Sequence, residues 1–110
     1  MKEPVALSVG NVFHALAEPV RRQLVEMLAD EGPKTATELA RLYPITRQGI
    51  LKHLHVLQEA DLVRVRRHGR DKRYELSPQP LAEVANWTER VGTRLEERLH
   101  RLKDMLENET

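Results

Sequence analysis

The feature that most constrains the fold is a change in the spacing of apolar residues near residue 61. Upstream, Ile50, Leu54 and Leu57 are separated by four and three residues, the spacing of one face of a helix. Downstream, Val63 and Val65 alternate with arginines, and a second alternating run at 73–76 follows Gly69. A period of two is typical of β-strands, so the sequence predicts a helix followed at once by a β-hairpin.

Helical spacing and helix-starting residues define the other elements. Pro19 suits a first helical turn, Thr35 and Glu38 match a capping box, and Thr46 is placed to cap the next helix. The predicted elements are an N-terminal helix at 9–18, a second helix at 19–31, a helix-turn-helix at 36–60, a hairpin at 62–77 and a C-terminal helix at 80–107. This order predicts a single mostly-α domain, a winged helix-turn-helix with about five helices and a two-stranded wing.

Composition argues against several classes of function. The 110 residues include no cysteine, so neither a disulfide nor a thiolate site is expected. No apolar run approaches the roughly 20 residues of a membrane span, and no signal peptide is visible, so we expect a cytoplasmic protein without a membrane partner. No grouping of Ser, His and Asp or of paired carboxylates is evident. We therefore expect no enzyme, no catalytic residue and no cofactor.

Charge is distributed unevenly along the chain. The net charge of +1 argues at first against a nucleic-acid partner. Residues 41–73, however, contain nine basic and three acidic residues, a net charge of +6, and the rest of the chain carries −5. A basic segment on an acidic body predicts a surface that attracts and orients DNA.

The helix that begins after Thr46 is the candidate base-reading element. A step of 100° per residue places Gln48, Lys52 and His55 opposite its apolar stripe. Arg47 and Gln48 in the first turn suit guanine and adenine edges, and Thr46 with the helix N-terminus suits a phosphate. The candidate DNA contacts of this helix are Thr46, Arg47, Gln48, Gly49, Leu51, Lys52, His53 and His55. For His53, a packing role or a phosphate contact is an equal alternative to base reading.

Basic residues also surround the turn of the predicted hairpin, where the only nearby acid is Asp71. They are Arg66, Arg67, His68, Arg70, Lys72 and Arg73. A charged hairpin can be mere solvated surface, but one that directly follows a helix-turn-helix predicts contacts with the DNA backbone that carry little sequence information.

The last helix carries an apolar seam that is too long to be buried within so small a domain. A partner helix is therefore expected, together with the N-terminal helix, at a two-fold interface between two copies of the chain. The predicted dimer-interface residues are Phe13, Leu16, Val84, Trp87, Val91, Leu95, Leu99, Leu102 and Leu106. Such a dimer predicts a palindromic site on double-stranded DNA.

Three segments resemble the ArsR-type winged-helix repressors. Leu16–Arg22 reads LAEPVRR, similar to that family's Leu-Ala-Asp-Pro-x-Arg-Arg signature. Thr46–Val63 resembles its recognition helix, Ser-x-x-Ala-Val-Ser-x-His-Leu-x-x-Leu-x-x-Ala-Gly-Leu-Val, and Gly69–Tyr74 resembles its wing pattern, Gly-Arg-x-x-x-Tyr. The resemblance spans about Leu16 to Leu81. It implies a dimeric, sequence-specific repressor, often of its own operon, with the terminal helices at the dimer interface.

Three residues depart from the family pattern. Leu51 replaces a small Ser, which removes a hydroxyl contact and makes a thymine-methyl contact possible. Gly49 replaces Ala, at a cost of about 1 kcal/mol in helix propensity. Asp61 replaces the Gly that usually ends the helix, and Asp tolerates the left-handed conformation needed there.

Many members of this family release DNA when they bind a metal, but neither of their metal motifs is complete here. Where one motif has Cys-x-Cys, this chain has Thr35–Thr37. When the other motif is anchored on His100, its remaining places hold Trp87, Glu89 and Lys103. We therefore expect no metal site. His100 and Asp104, four residues apart, fit an ordinary helix-surface pair or a ligand pair across a dimer axis.

Two alternatives to a dimeric DNA-binding repressor stay open. One is a winged-helix module that contacts only proteins, and the other, less favoured, is a metal-responsive repressor. The basic face of Arg47, Gln48 and Lys52 beside a basic hairpin favours DNA. The operator, the regulated genes and any inducer do not follow from the sequence.

Overall fold

A computed structural model describes residues 5–109, in which five helices and three short strands form a winged helix-turn-helix. The elements are α1 (Val5–Leu16), α2 (Pro19–Glu31), β1 (Lys34–Thr35), α3 (Ala36–Leu42), α4 (Arg47–Glu59), β2 (Val63–His68), β3 (Asp71–Leu76) and α5 (Pro78–Glu107). The predicted fold class is confirmed. Two helices begin earlier than their spacing indicates: α1 at Val5 and α5 at Pro78. Both Pro78 and Pro80 fit the first turn of α5, where backbone N–H groups have no intrahelical partner.

Side-chain caps begin α2, α3 and α4. The Glu18 carboxylate accepts a hydrogen bond from the backbone N–H of Arg21 at 3.1 Å. The Thr35 hydroxyl accepts one from the N–H of Glu38 at 3.1 Å, within a complete capping box. The Thr46 hydroxyl does the same for Gly49 at 3.1 Å. The predicted caps at Thr35 and Thr46 are thus confirmed, and each satisfies a donor that would otherwise lack a partner.

The core lies between the first four helices and the base of the hairpin. Its largest fully buried side chains are Val12, Leu24, Leu39, Ile50, Leu54, Leu57 and Leu62. The predicted inward face of α4 is confirmed, because Ile50, Leu54 and Leu57 are all completely buried there. Since aliphatic side chains supply nearly all of this core, α4 is held in place by close packing along its whole inner stripe.

The sheet has three strands, whereas the sequence pattern predicts two. The order is β1-β3-β2, all antiparallel, and β1 pairs Lys34 with Tyr74 and Thr35 with Arg73. The capping role of Thr35 requires an extended backbone, φ −79° and ψ 159°, and this conformation allows pairing with β3. The extra strand therefore fixes the wing to the start of α3.

Two turns adopt left-handed backbone conformations. Asp61, after α4, has φ 59°, which confirms that Asp serves at the position where the family usually has Gly. Gly69, with φ 61°, lies in the turn between β2 and β3. The first turn redirects the chain from α4 into β2, and the second reverses it at the tip of the wing.

Helix α5 extends well beyond the core. Its 30 residues correspond to about 45 Å of helix, and the longest dimension of the molecule is 72 Å. It packs mainly against α1, where the rings of Phe13 and Trp87 meet edge to face with centroids 5.3 Å apart. Within residues 5–109, no helix combines the length and apolarity that a bilayer span requires.

Candidate nucleic-acid interface

The outward face of α4 presents three polar side chains in a row. Gln48, Lys52 and His55 are all exposed, opposite the buried stripe, as the helical spacing indicates. His55 Nε2 lies 3.2 Å from a carboxylate oxygen of Glu59, one turn further along. The acid-free part of this face is therefore its N-terminal half, with Gln48 and Lys52. We call Gln48, Lys52 and His55 the reading face.

Arg47 lies to one side of the reading face. Its Nε donates a hydrogen bond to the Thr37 hydroxyl of α3 at 3.2 Å. Leu51, one turn later on the same side, is half-buried against the core and lines a cavity between α4 and the wing. Both residues belong to the side of α4 that faces α3 and the wing, so neither shares the direction of Gln48.

His53 does not lie on the reading face of α4. Its Nδ1 is 3.8 Å from the carboxylate of Glu18, and only 24% of its side chain is exposed. Helical geometry places it about 140° from Gln48. His53 therefore faces the α1–α2 junction, which favours the packing alternative over base reading, and its inclusion among the DNA contacts stays a prediction.

Thr46 and Gly49 form the first turn of α4. The Thr46 hydroxyl accepts a hydrogen bond from the backbone N–H of Gly49 and thereby caps the N-terminus of α4. Gly49 is half-buried, and a Cβ added to it would lie 2.7 Å from Cγ2 of Ile45. The Ala that the family pattern prefers there would collide with Ile45 in this structure.

A cavity of about 500 Å³ separates α3, the first turns of α4 and strand β3. Arg41, Arg47 and Lys72 supply positive charge to its walls, and Glu38 and Asp71 supply negative charge. We call this cavity the basic groove. Helix α3, helix α4 and strand β3 contribute one cation each, so the basic groove joins α4 to the wing in a single positively charged surface.

The arginines at the base of the wing are paired with acids. Glu75, buried on β3, accepts hydrogen bonds from Arg64 Nε and from Arg66 Nη1, the second at 3.5 Å. Arg73 Nη1 lies 3.4 Å from an oxygen of Glu38. Of the predicted wing contacts, Arg66 and Arg73 are therefore partly neutralised.

The tip of the wing is different. Arg67, His68, Arg70 and Lys72 are exposed, and within residues 5–109 no acidic side chain forms an ion pair with any of them. The turn at Gly69 brings them together, and Arg67 stands directly across the strand pair from Lys72. This concentration of free positive charge is suited to a polyanion.

Glu38 has a perturbed carboxyl group. Partial burial acts to raise its pKa, but hydrogen bonds from the Thr35 side chain and backbone and the nearby charges of Arg73 and Lys34 outweigh that effect. The net result is a pKa below the ordinary value of 4.5. The carboxylate is thus held in its charged form at the junction of α3, β1 and β3.

Four residues that shape this surface are absent from the contacts predicted by the sequence. Glu75 could have been found from hairpin register, because a turn at 69–70 sets it opposite Arg64. Arg41 was visible only as part of the basic charge count. No local sequence pattern indicates that Thr37 contacts α4 or that Glu38 contacts the wing, because both contacts depend on how α3 packs.

The predicted dimer residues fall into two groups. Leu16 and Val84 are half-buried against the core. The others are exposed: Phe13, Trp87, Val91, Leu95, Leu99, Leu102 and Leu106, from 39% exposed at Trp87 to 70% at Leu106. Met105, which the spacing did not single out, is exposed beside them. We call the exposed set on α5, with Phe13, the apolar seam.

The positions that correspond to the metal motifs of the resembled family have other contacts here. The Thr35 hydroxyl caps α3, and the Thr37 hydroxyl accepts from Arg47. His100 Nε2 lies 3.6 Å from Asp104, a pair within one helix face. No group of three or more His, Cys, Asp or Glu residues that could hold a metal occurs in the part of the chain that the structure describes.

Comparison with known proteins gives a consistent result. A family model described as a helix-turn-helix domain matches residues 16–66. HTH-type transcriptional regulator Rv2034 of Mycobacterium tuberculosis is 40% identical over 87 residues, which are 79% of this chain and 80% of that protein.

Solved structures agree. The ArsR-like transcriptional regulator from Rhodococcus sp. RHA1 matches with a TM-score of 0.81 at 32% identity, over 91% of this chain and 93% of that one. A homodimeric winged helix-turn-helix DNA-binding domain fragment from Mycobacterium bovis, described as a possible ArsR-family regulator, matches with a TM-score of 0.62 at 26% identity, over 86% and 83%. With the recognition helix, the wing and these similarities in agreement, the chain belongs to the ArsR family of winged helix-turn-helix proteins and is a DNA-binding transcriptional regulator.

Proposed function

We propose that the protein is a homodimer that binds a palindromic operator in double-stranded DNA and represses transcription, including that of its own operon, by occupying the promoter. The observation that carries this proposal is the reading face, Gln48, Lys52 and His55, exposed on α4 directly beside the basic groove and the wing. A protein-docking module does not need a polar, basic face next to a cluster of free cations.

The reading face and the wing have different roles in this proposal. Gln48 and Lys52 reach base edges in the major groove, where Gln suits adenine and Lys suits guanine. The wing tip, Arg67 to Lys72, contacts the neighbouring sugar-phosphate backbone. Because such contacts neutralise phosphates, they raise the affinity for any sequence and make binding dependent on salt.

Dimerisation follows from the apolar seam. A monomer that exposed seven large apolar side chains along one helix face would be prone to self-association, and a second copy covers them most simply by two-fold symmetry. The homodimeric relative from Mycobacterium bovis supports this arrangement. Two recognition helices would then lie about 34 Å apart, one turn of DNA, which calls for two half-sites related by a palindrome.

We place the protein in the cytoplasm of a bacterial-type cell, where it has access to the chromosome, and we assign it no catalytic role. No metal is required for DNA binding, because none of the proposed contacts uses one.

The test is a binding titration with a duplex from the region upstream of the protein's own coding sequence and a scrambled duplex of equal composition. We expect affinity for the upstream duplex to be about a thousandfold higher or more, with strong salt dependence. Light scattering at micromolar concentration should give the mass of a dimer. Equal affinity for both duplexes would refute specific binding, and a monomer would refute the palindrome.

A further inference from the structure

We propose that Arg47 binds a DNA backbone phosphate in the basic groove and does not read a base, and that Thr37 is the residue that positions it. The inference rests on the proposed DNA binding and deepens it. It also revises the sequence-based expectation, in which Arg47 pairs with guanine from the first turn of the recognition helix.

The direction of the Arg47 side chain is the first argument. Its Nε is bonded to the Thr37 hydroxyl at 3.2 Å, so the inner edge of the guanidinium is attached to α3. On a helix, Arg47 also lies 100° from Gln48, on the side of the wing. The two terminal nitrogens therefore remain available at the basic groove, which Arg47 lines.

The second argument is the chemistry of the groove. Arg41 from α3 and Lys72 from β3 line the same cavity of about 500 Å³, so three cations from three elements surround one space. A guanidinium with two free N–H groups matches two phosphate oxygens, and an ammonium adds a point charge. A guanine edge can also accept two hydrogen bonds, but it carries no net charge, so only a phosphate gains from being surrounded by three cations.

The acidic residues of the groove do not cancel this charge. Glu38 accepts from the backbone of Thr35 at 3.5 Å and faces Arg73 at 3.4 Å, so its charge is already shared within the wall. That leaves Asp71, at the start of β3, against Arg41, Arg47 and Lys72. The net charge of the space stays positive, as an anionic phosphodiester requires.

Phosphate and base contacts predict different measurements. Loss of a phosphate contact weakens all sequences alike and reduces the slope of log K against log salt by about 0.9. Loss of a base contact lowers affinity for the operator alone and leaves the slope unchanged. The experiment is therefore a salt titration of binding to the upstream and scrambled duplexes by full-length variants.

For Arg47→Ala we expect affinity for both duplexes to fall by a similar factor, about tenfold or more per subunit, with the slope reduced by about 0.9 per subunit. Gln48→Ala should lower affinity for the upstream duplex alone. Arg90→Ala, which removes an equally exposed cation from α5 outside the groove, serves as the matched control and should change neither quantity.

The positioning role of Thr37 needs a separate comparison. Thr37→Val, which removes the hydroxyl with little change in shape, should lower affinity for both duplexes by roughly two- to tenfold, and Thr37→Ser should restore it. In the Arg47→Ala background, Thr37→Val should have no further effect. If Thr37 only supported the fold, Thr37→Val would cost the same affinity in both backgrounds, and that result would overturn the positioning role.

Failure of the inference can be told apart from failure of the proposed function. If Arg47→Ala lowers affinity for the upstream duplex alone and keeps the salt slope, Arg47 reads a base; specific binding then stands and the inference falls. If the unaltered protein does not prefer the upstream duplex, specific regulation there fails. In that case the change in salt slope caused by Arg47→Ala, measured on either duplex, still shows whether Arg47 contacts a phosphate.

Discussion

Arg73 Nη1 lies 3.4 Å from Glu38 Oε1, an ion pair that joins the wing to the first helix of the helix-turn-helix across 35 positions of sequence. The same carboxylate accepts a hydrogen bond from the backbone N–H of Thr35 and so completes the cap of α3. One side chain therefore stabilises a helix start and also sets the position of the wing relative to the recognition helix. Because both interactions favour the ionised form, they depend on pH.

We predict that Glu38 makes the protein sensitive to acid. Its pKa in the folded state is below the ordinary 4.5, so its stabilisation is fully present above about pH 4.5 and is lost as the pH falls through the folded pKa. Glu38→Gln should be less stable than the unaltered protein at neutral pH and should lose less stability on acidification. Thermal unfolding followed by circular dichroism across this range measures both effects.

The matched control is Glu26→Gln, which removes an exposed carboxylate of α2 that takes part in neither the cap of α3 nor the ion pair with Arg73. Its acid sensitivity should equal that of the unaltered protein. Parallel curves of melting temperature against pH for the unaltered protein and Glu38→Gln would contradict the assigned role of Glu38.

We predict that residues of the reading face and the wing tip differ in how they affect specificity. Gln48→Ala or Lys52→Ala should cost about 1–3 kcal/mol on the operator and little on random DNA, because each removes a base contact. Arg70→Ala should weaken binding to all sequences and flatten the salt dependence by about one unit of slope. Fluorescence anisotropy on both duplexes gives these values, and equal losses on both for all three variants would be evidence against the division of roles.

We predict that Leu102→Glu disrupts the dimer. Leu102 is exposed on the apolar seam, and covering a leucine side chain is worth roughly 1.5–3 kcal/mol, a gain that the substitution removes from each subunit. Thr93→Glu adds the same charge on the opposite face of α5 and should remain dimeric. Light scattering distinguishes the two variants, and the palindrome should lose its advantage over a half-site only for Leu102→Glu. A dimeric Leu102→Glu would show that the interface lies elsewhere.

We predict that restoring the family's alanine at position 49 does not stabilise the protein. Ala exceeds Gly in helix propensity by about 0.8–1.0 kcal/mol, but its Cβ would lie 2.7 Å from Ile45 Cγ2. Ile45 packs against the core, so moving its side chain aside would disturb that packing. Gly49→Ala should therefore give no gain alone and should stabilise in an Ile45→Ala background. Urea unfolding at one fixed protein concentration tests this, and a full gain of about 1 kcal/mol from Gly49→Ala alone would contradict the clash.

Local patterns in the sequence were sufficient for the helix-turn-helix and the wing. The inward stripe of α4, the caps at Thr35 and Thr46 and the left-handed turn at Asp61 all depend on interactions within a few residues, and the structure confirms them. The pairing of β2 with β3 can also be predicted from the sequence, since the position of the turn fixes the register and places Glu75 opposite Arg64.

The contacts that shape the candidate site depend on tertiary structure. Thr37 with Arg47, Glu38 with Arg73, and His53 with Glu18 bring together side chains from elements that no local pattern relates. Strand β1 exists only because β3 offers it a partner. The sequence by itself determined which residues are candidates for DNA contact, because periodicity and charge are local properties. Only the tertiary structure decided which of those residues are already held by another side chain and which remain free, because that depends on how distant elements pack.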